Sequence, residues 1–121
     1  MSGKILFVIQ SGPESYYNVL WGLRMAKNTW THPYGEKLLD DVKVLLFGRG
    51  VGIINPKLAE SPEFEENILA FNDVGVEVAS CVSIAESLDL VGKAESLGVK
   101  LVHASKYVAE RVSGGYTVMN F

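Results

Sequence analysis

The stretch "VEVASCVSIAES", residues 76–87, changes character at its centre. Val76 to Ser80 is a short, mostly apolar run of the length and make-up of a covered strand. From Ser83 onward the pattern is helical, and Ser83 and Glu86 have the spacing of a capping box. Gly75 stands just before the strand, where a glycine past a helix end accepts the left-handed conformation. The same helix–glycine–strand junction recurs further on: "VGVEVA" starts at 74 and "LGVKLV" at 97. Repeated junctions of this kind predict βα units with parallel strands.

Working outward, "KILFVIQ", residues 4–10, is a nearly continuous apolar run that fits a strand covered on both faces. Ser11-Gly12-Pro13-Glu14 then reads as a helix start, with proline at a first helical position. Tyr16, Leu20, Leu23, Lys27 and Trp30 recur at three- and four-residue spacing, widened by Val19 and Ala26, and predict a helix over 14–28. "THPYGE" at 31–36 forms a long polar connection to a second strand, "VKVLLFG", at 42–48. A glycine-rich turn, Gly48-Arg49-Gly50-Val51-Gly52, follows. Ser61-Pro62-Glu63 repeats the helix-start pattern, with Phe64, Ile68 and Phe71 on one face. The segment 83–97 contains Gly92, which predicts two short helices or a kinked one. Gly98 ends it, "VKLVHA" is strand four, a helix over 105–112 precedes Gly114-Gly115, and "YTVMNF" closes the chain as a strand. The expected fold is one α/β domain over 1–121: a three-layer sandwich with a mostly parallel sheet of about five strands and helices on both faces.

Composition narrows the functional classes. The chain has 121 residues, 48% of them apolar, enough for one core without crosslinks. With 11 basic and 14 acidic residues the net charge is −3, which speaks against a nucleic-acid surface. No apolar run approaches the length of a membrane span, and the first is too short for a signal segment. The single cysteine cannot form an internal disulfide, and a cytoplasmic protein is expected. His32 and His103 stand alone, without cysteine or carboxylate at ligand spacing, so neither a metal site nor a cofactor is expected.

In parallel sheets, ligands gather beyond the carboxyl ends of the strands. That rule selects Ser11-Gly12-Pro13, Gly48 to Gly52, Ser80 to Ser83 and His103 to Ser105. Cys81 sits at one such end, just before a helix start, where unpaired N–H groups favour a thiolate. The competing reading is a small buried hydrophobe, since free cysteine is among the most buried residue types. The glycine turn is not a dinucleotide fingerprint or a P-loop. It reads either as a tight turn or as backbone N–H groups facing an anion beside Arg49. Ser11 and Ser105 lack a nucleophile motif. The candidate site is therefore Cys81 as reacting group, with Gly12, Gly48, Arg49, Gly50, Ser83 and His103 as pocket residues. Tyr16, Tyr17, Trp21 and Trp30 are mostly core by spacing. Tyr17 and Trp21, four apart and offset from the main stripe, form a second strip suited to a subunit interface.

Taken in order and spacing, "KILFVIQSGPES", "VKVLLFGRGV", "GVEVASCVSIAESL" and "GVKLVHA" resemble the DsrE/DsrF-like family, which includes the TusD sulfur carriers, over nearly the whole chain. The resemblance implies a sulfur carrier that holds sulfane sulfur as a persulfide on Cys81 and passes it between partner donor and acceptor proteins. It also implies a homo-oligomer, a trimer or hexamer. One departure stands out: several carriers of the family have an Arg-Gly pair a few residues after the cysteine, where this chain has Glu86-Ser87-Leu88-Asp89-Leu90. Two further readings remain open. One is a small-ligand-binding or assembly module with an inert Cys81. The other is an enzyme using Cys81 as nucleophile with His103 as base, which requires the two side chains within hydrogen-bond reach.

Overall fold

Five strands form the frame: β1 (Lys4–Ile9), β2 (Asp41–Leu46), β3 (Glu77–Cys81), β4 (Lys100–Val102) and β5 (Thr117–Asn120). The computed structural model describes residues 3–32 and 35–121, so Pro33 and Tyr34 of the long polar connection lie outside the described residues. The strands pair in the order β4-β3-β2-β1-β5, every pairing parallel. Helices alternate with them: α1 (Tyr16–Thr31), α2 (Ser61–Asp73), α3 (Val82–Ser87), α4 (Val91–Ser96) and α5 (Ala104–Ser113). The α/β class expected from the alternating patterns is the class observed.

Register decides which side chain faces which layer. Phe7, Val44 and Val78 are aligned across β1, β2 and β3, and all three are buried in the larger core cluster. That cluster also takes Val19, Leu23 and Ala26 of α1 and Phe64, Ile68 and Phe71 of α2, so α1 to α4 cover this face. The next residues along, Val8, Leu45 and Ala79, point the other way and pack in a smaller cluster with Tyr107 of α5. Helices thus lie on both faces, but unequally: a single helix carries the chain from β4 at one edge to β5 at the other.

The local signals place most boundaries and miss some. Pro13 opens a 3-10 turn, Pro13–Ser15, before α1 rather than α1 itself, and α1 runs on to Thr31. Gly75 and Gly98 adopt φ of +75° and +73°, the left-handed conformation required after α2 and α4. The segment 83–97 forms two short helices, one of the two forms expected, but Gly92 lies inside α4 and the chain breaks at Leu88-Asp89-Leu90, where Asp89 takes φ +56°. Asp tolerates that region better than most residues. The capping box does not form either. Cys81 occupies the cap position of α3, Ser83 is already helical, and no side chain caps that end. Strand four shrinks to Lys100–Val102 because it is an edge strand with one neighbour.

The C-terminal residue is fixed by backbone rather than by pattern. Phe121 N–H donates to Val8 O at 2.8 Å, and its carbonyl accepts from Gln10 and Ser11 N–H at 2.8 and 3.0 Å. Its ring stacks on Phe7 with centroids 6.0 Å apart.

Candidate functional site

Cys81 is the last residue of β3 and the cap of α3, with φ −58° and ψ 118°. Its register partner in β4 is Val102. The side chain packs in the larger core cluster and is 7% exposed. The strand therefore extends one residue further than the pattern "VEVAS" indicates, and the thiol sits at its very end, nearly but not wholly covered. Ser80, one residue earlier, opens the strand-end stretch 80–83. It is fully buried, and its Oγ has no hydrogen-bond partner among the described residues. Its register neighbours Leu46 and Leu101 pack with the larger cluster, so the hydroxyl lies on an apolar face. No sequence signal distinguishes a satisfied strand serine from an orphaned one.

The glycine turn is a 3-10 segment, Gly48–Ile54, that packs against β3, α2 and α3 and so walls the Cys81 end of the sheet. Gly50 explains its closeness. A Cβ placed there would lie 1.9 Å from the Ile9 carbonyl oxygen, a distance no side chain can adopt. Gly48 has φ +58°. Arg49, which one of the two readings of the turn sets beside an anion, donates to Glu14 at 2.9 Å across the solvent-exposed surface. The Glu14 carboxyl is held below its ordinary range, chiefly by a backbone N–H of its own residue and then by Arg49. Gly12 adjoins this pair: a Cβ on it would meet Glu14 Oε2 at 2.6 Å and Arg49 Cβ at 2.8 Å. Gln10, Ser11, Ser15, Asn120 and Phe121 complete an open depression of about 500 Å³ around the Glu14–Arg49 pair.

The predicted residues thus fall into three places. Gly12, Gly48, Arg49 and Gly50 gather beyond β1 and β2, and the 3-10 segment Gly48–Ile54 packs against β3 and α3. Ser83 is exposed on α3. His103 is exposed beyond β4 and lines a cavity with α5 residues. No hydrogen bond joins Cys81 to His103 among the described residues, so the nucleophile-and-base arrangement lacks the contact it requires. Glu86 and Asp89, which stand where a basic pair was sought, are exposed. Among the described residues no group of three or more His, Cys, Asp or Glu is placed to hold a metal ion.

Two other surfaces matter for function. On α1, Tyr17 and Trp21 are 63% and 62% exposed, with ring centroids 5.6 Å apart, and Met25 continues the strip one turn on. These two aromatics lie outside the core, as their offset from the main stripe predicts. On the opposite face of the sheet, α5 leaves an apolar groove of about 570 Å³ lined by Val8, Leu45, Phe47, Val108, Val112 and Val118.

A parallel five-stranded sheet with four helices on one face and one on the other defines the structural class. Solved structures share it. The chain is similar to a conserved protein of unknown function, BT1422, from Bacteroides thetaiotaomicron, with TM-score 0.77 at 14% identity over 98% of this chain and 94% of that one. It is similar to MTH1491 from Methanobacterium thermoautotrophicum, also of unknown function, with TM-score 0.74 and 15% identity over 99% and 100% of the chains. The ychN protein from E. coli gives TM-score 0.69 and 16% identity over the full length of both. These likenesses carry the fold. No family model matches the sequence, and no curated protein matches it at a significant level. No helix among the described residues is long and apolar enough to cross a membrane.

Proposed function

We propose that the chain is a DsrE/TusD-like sulfur carrier with Cys81 as the carrying residue. The observation that supports this most is the position of Cys81 at the carboxyl end of β3, where strand gives way to helix and the 3-10 segment Gly48–Ile54 forms a wall beside it. In the proposed step the Cys81 thiolate attacks the outer sulfur of a donor protein's persulfide. The Cys81–sulfur bond forms, the donor's S–S bond breaks, and the donor leaves as a thiolate. An acceptor thiolate then attacks the outer sulfur of Cys81–S–SH and releases Cys81 as thiolate, with no net oxidation. The remaining 7% exposure of Cys81 means that a donor must reach it through a small local opening. Self-association into a trimer or hexamer, through the Tyr17–Trp21–Met25 strip, belongs to the same proposal.

The test is incubation with a persulfide donor followed by intact-mass analysis. Wild type gains one sulfur and Cys81→Ala gains none. No gain on wild type, or an equal gain on the variant, overturns the reading.

A second reading has its own support. The groove beneath α5 is apolar, with Gln10, Ser105 and Asn120 as its polar members, the usual make-up of a small-ligand site. On that reading the chain is a binding or assembly module and Cys81 is packed and silent. Native-state reaction with a thiol reagent separates the two. Modification well before unfolding supports the carrier; protection until denaturation supports the module.

A further inference from the structure

We infer that the cavity between β4 and α5 binds the tetrahedral oxyanion head of a small phosphorylated or sulfonated molecule. The cavity measures about 280 Å³ and is lined by Lys100, His103, Lys106, Arg111, Tyr107 and Glu110, besides Val102. Three permanent cations and one carboxylate line it, with Glu77 beneath at 3.7 Å from Lys100, in a chain whose net charge is −3. The excess is local, in a half-open depression where Lys100, His103 and Lys106 are exposed.

Arg111 is the most informative member. Its guanidinium carbon lies 5.0 Å from the Tyr107 ring centroid and 5.8 Å from that of Tyr116. The two aromatics hold it in place. Its Nε is buried with no hydrogen-bond partner, and no carboxylate lies within ion-pair distance of it among the described residues. A covered Nε–H without an acceptor is costly, and the planar fork of a half-buried guanidinium matches a phosphoryl or sulfonyl group. Lys106 is exposed and also has no ion pair among the described residues, so it can turn toward a ligand at little cost. Lys100 is shared with Glu77 at 3.7 Å. The Tyr107 hydroxyl is committed to Glu77 at 2.5 Å, so it anchors the floor rather than the ligand. Glu110 opposes a ligand and limits affinity.

The test is titration with inorganic phosphate, sulfate and glycerol phosphate at constant ionic strength, followed by backbone amide shifts. Saturable shifts at residues 100–111, tightest for the phosphomonoester, are expected if the cavity takes the head of a larger molecule. Equal affinity for the free ions and the ester identifies an ion-only site and overturns the small-molecule part. Lys106→Glu, at an exposed position that leaves the fold intact, weakens binding about tenfold, and Glu110→Gln strengthens it severalfold. Arg111→Lys abolishes the phosphomonoester preference while keeping the charge. The inference fails if shifts are absent, if chloride reproduces them, or if Lys106→Glu binds as well as wild type. Cys81→Ala keeps binding intact, so the outcome is independent of the sulfur-carrier proposal.

Discussion

At the scale of single residues, Cys81 and Ser80 make opposite demands on the same strand end. A thiol at the end of β3 loses little by being covered, because a neutral thiol is a small hydrophobe. A hydroxyl without a partner loses more, about 1–3 kcal/mol when fully desolvated. Ser80 is therefore a cost to folding unless it serves something. Two outcomes separate the cases. Ser80→Ala is expected to raise stability by about 1 kcal/mol in urea unfolding if the hydroxyl serves no ligand or sulfur. If the hydroxyl assists the carried sulfur, the same variant loses sulfur loading in the mass assay while its midpoint stays or rises. A fall in stability would show instead that Ser80 makes a bond that this arrangement lacks.

At the scale of elements, the segment after β2 is the one most constrained by neighbouring backbone. Gly50 must sit against the Ile9 carbonyl, and Gly50→Ala forces the 3-10 segment away from β1. The expected cost is about 3 kcal/mol or more, read as a lowered denaturation midpoint, with faster thiol modification of Cys81 because its wall has moved. Gly52→Ala is the control: the nearest atom to its added Cβ is Pro13 Cδ at 3.8 Å, ordinary contact, and a small effect is expected. The pattern of the sequence shows why some elements were readable and others not. Phe64, Ile68 and Phe71 announce α2 because a helical face must repeat every three or four residues, and all three are buried. Gly75 and Gly98 announce their stops by the same logic of allowed backbone. The two short helices of the α3–α4 region are legible in the sequence, but the position of their break is not, because Asp89 can also adopt positive φ and nothing local says that it does. Cys81 as strand end was legible to within a residue. The Glu14–Arg49 pairing was not, since it joins two 3-10 segments across 35 residues of chain.

At the scale of the whole molecule, the two faces of the sheet are held differently. The α1–α4 face rests on apolar packing, and its outer layer carries the exposed aromatic strip. If the chain self-associates through this strip as proposed, Trp21→Asp lowers the mass measured by light scattering while leaving the fold intact, because Trp21 is 62% exposed. An unchanged mass would place any self-contact elsewhere. The α5 face is tied to the amino ends of the strands by charge. Lys43 lies 3.4 Å from Asp41 and 3.7 Å from Glu77, while Tyr116 donates its hydroxyl to Asp41 and Tyr107 donates to Glu77. Burial pushes the Glu77 carboxyl up, but the Tyr107 hydroxyl, Lys43, Lys100 and Arg111 together outweigh it and hold the carboxyl below its ordinary range. Burial and the Asp41 bond push Tyr116 up to about 12.

These shifts fix the direction of the pH dependence. A carboxyl that is more acidic in the folded chain stabilises it above the unfolded pKa of about 4.3, and that contribution is lost as pH falls through the lower folded value. A tyrosine that holds its proton more tightly when folded stabilises the chain below its unfolded pKa of about 10, and that contribution is lost as pH rises toward the folded value. The Tm of wild type is therefore expected to exceed that of Glu77→Gln at neutral pH, and the gap to close as pH falls below about 4. Tyr116→Phe tests the alkaline side: its deficit should shrink above about pH 10. A gap between wild type and Glu77→Gln that stays constant from neutral to acid pH would mean that Glu77 contributes by shape alone, and that α5 is held over the sheet by Tyr107 packing rather than by the charge beneath it.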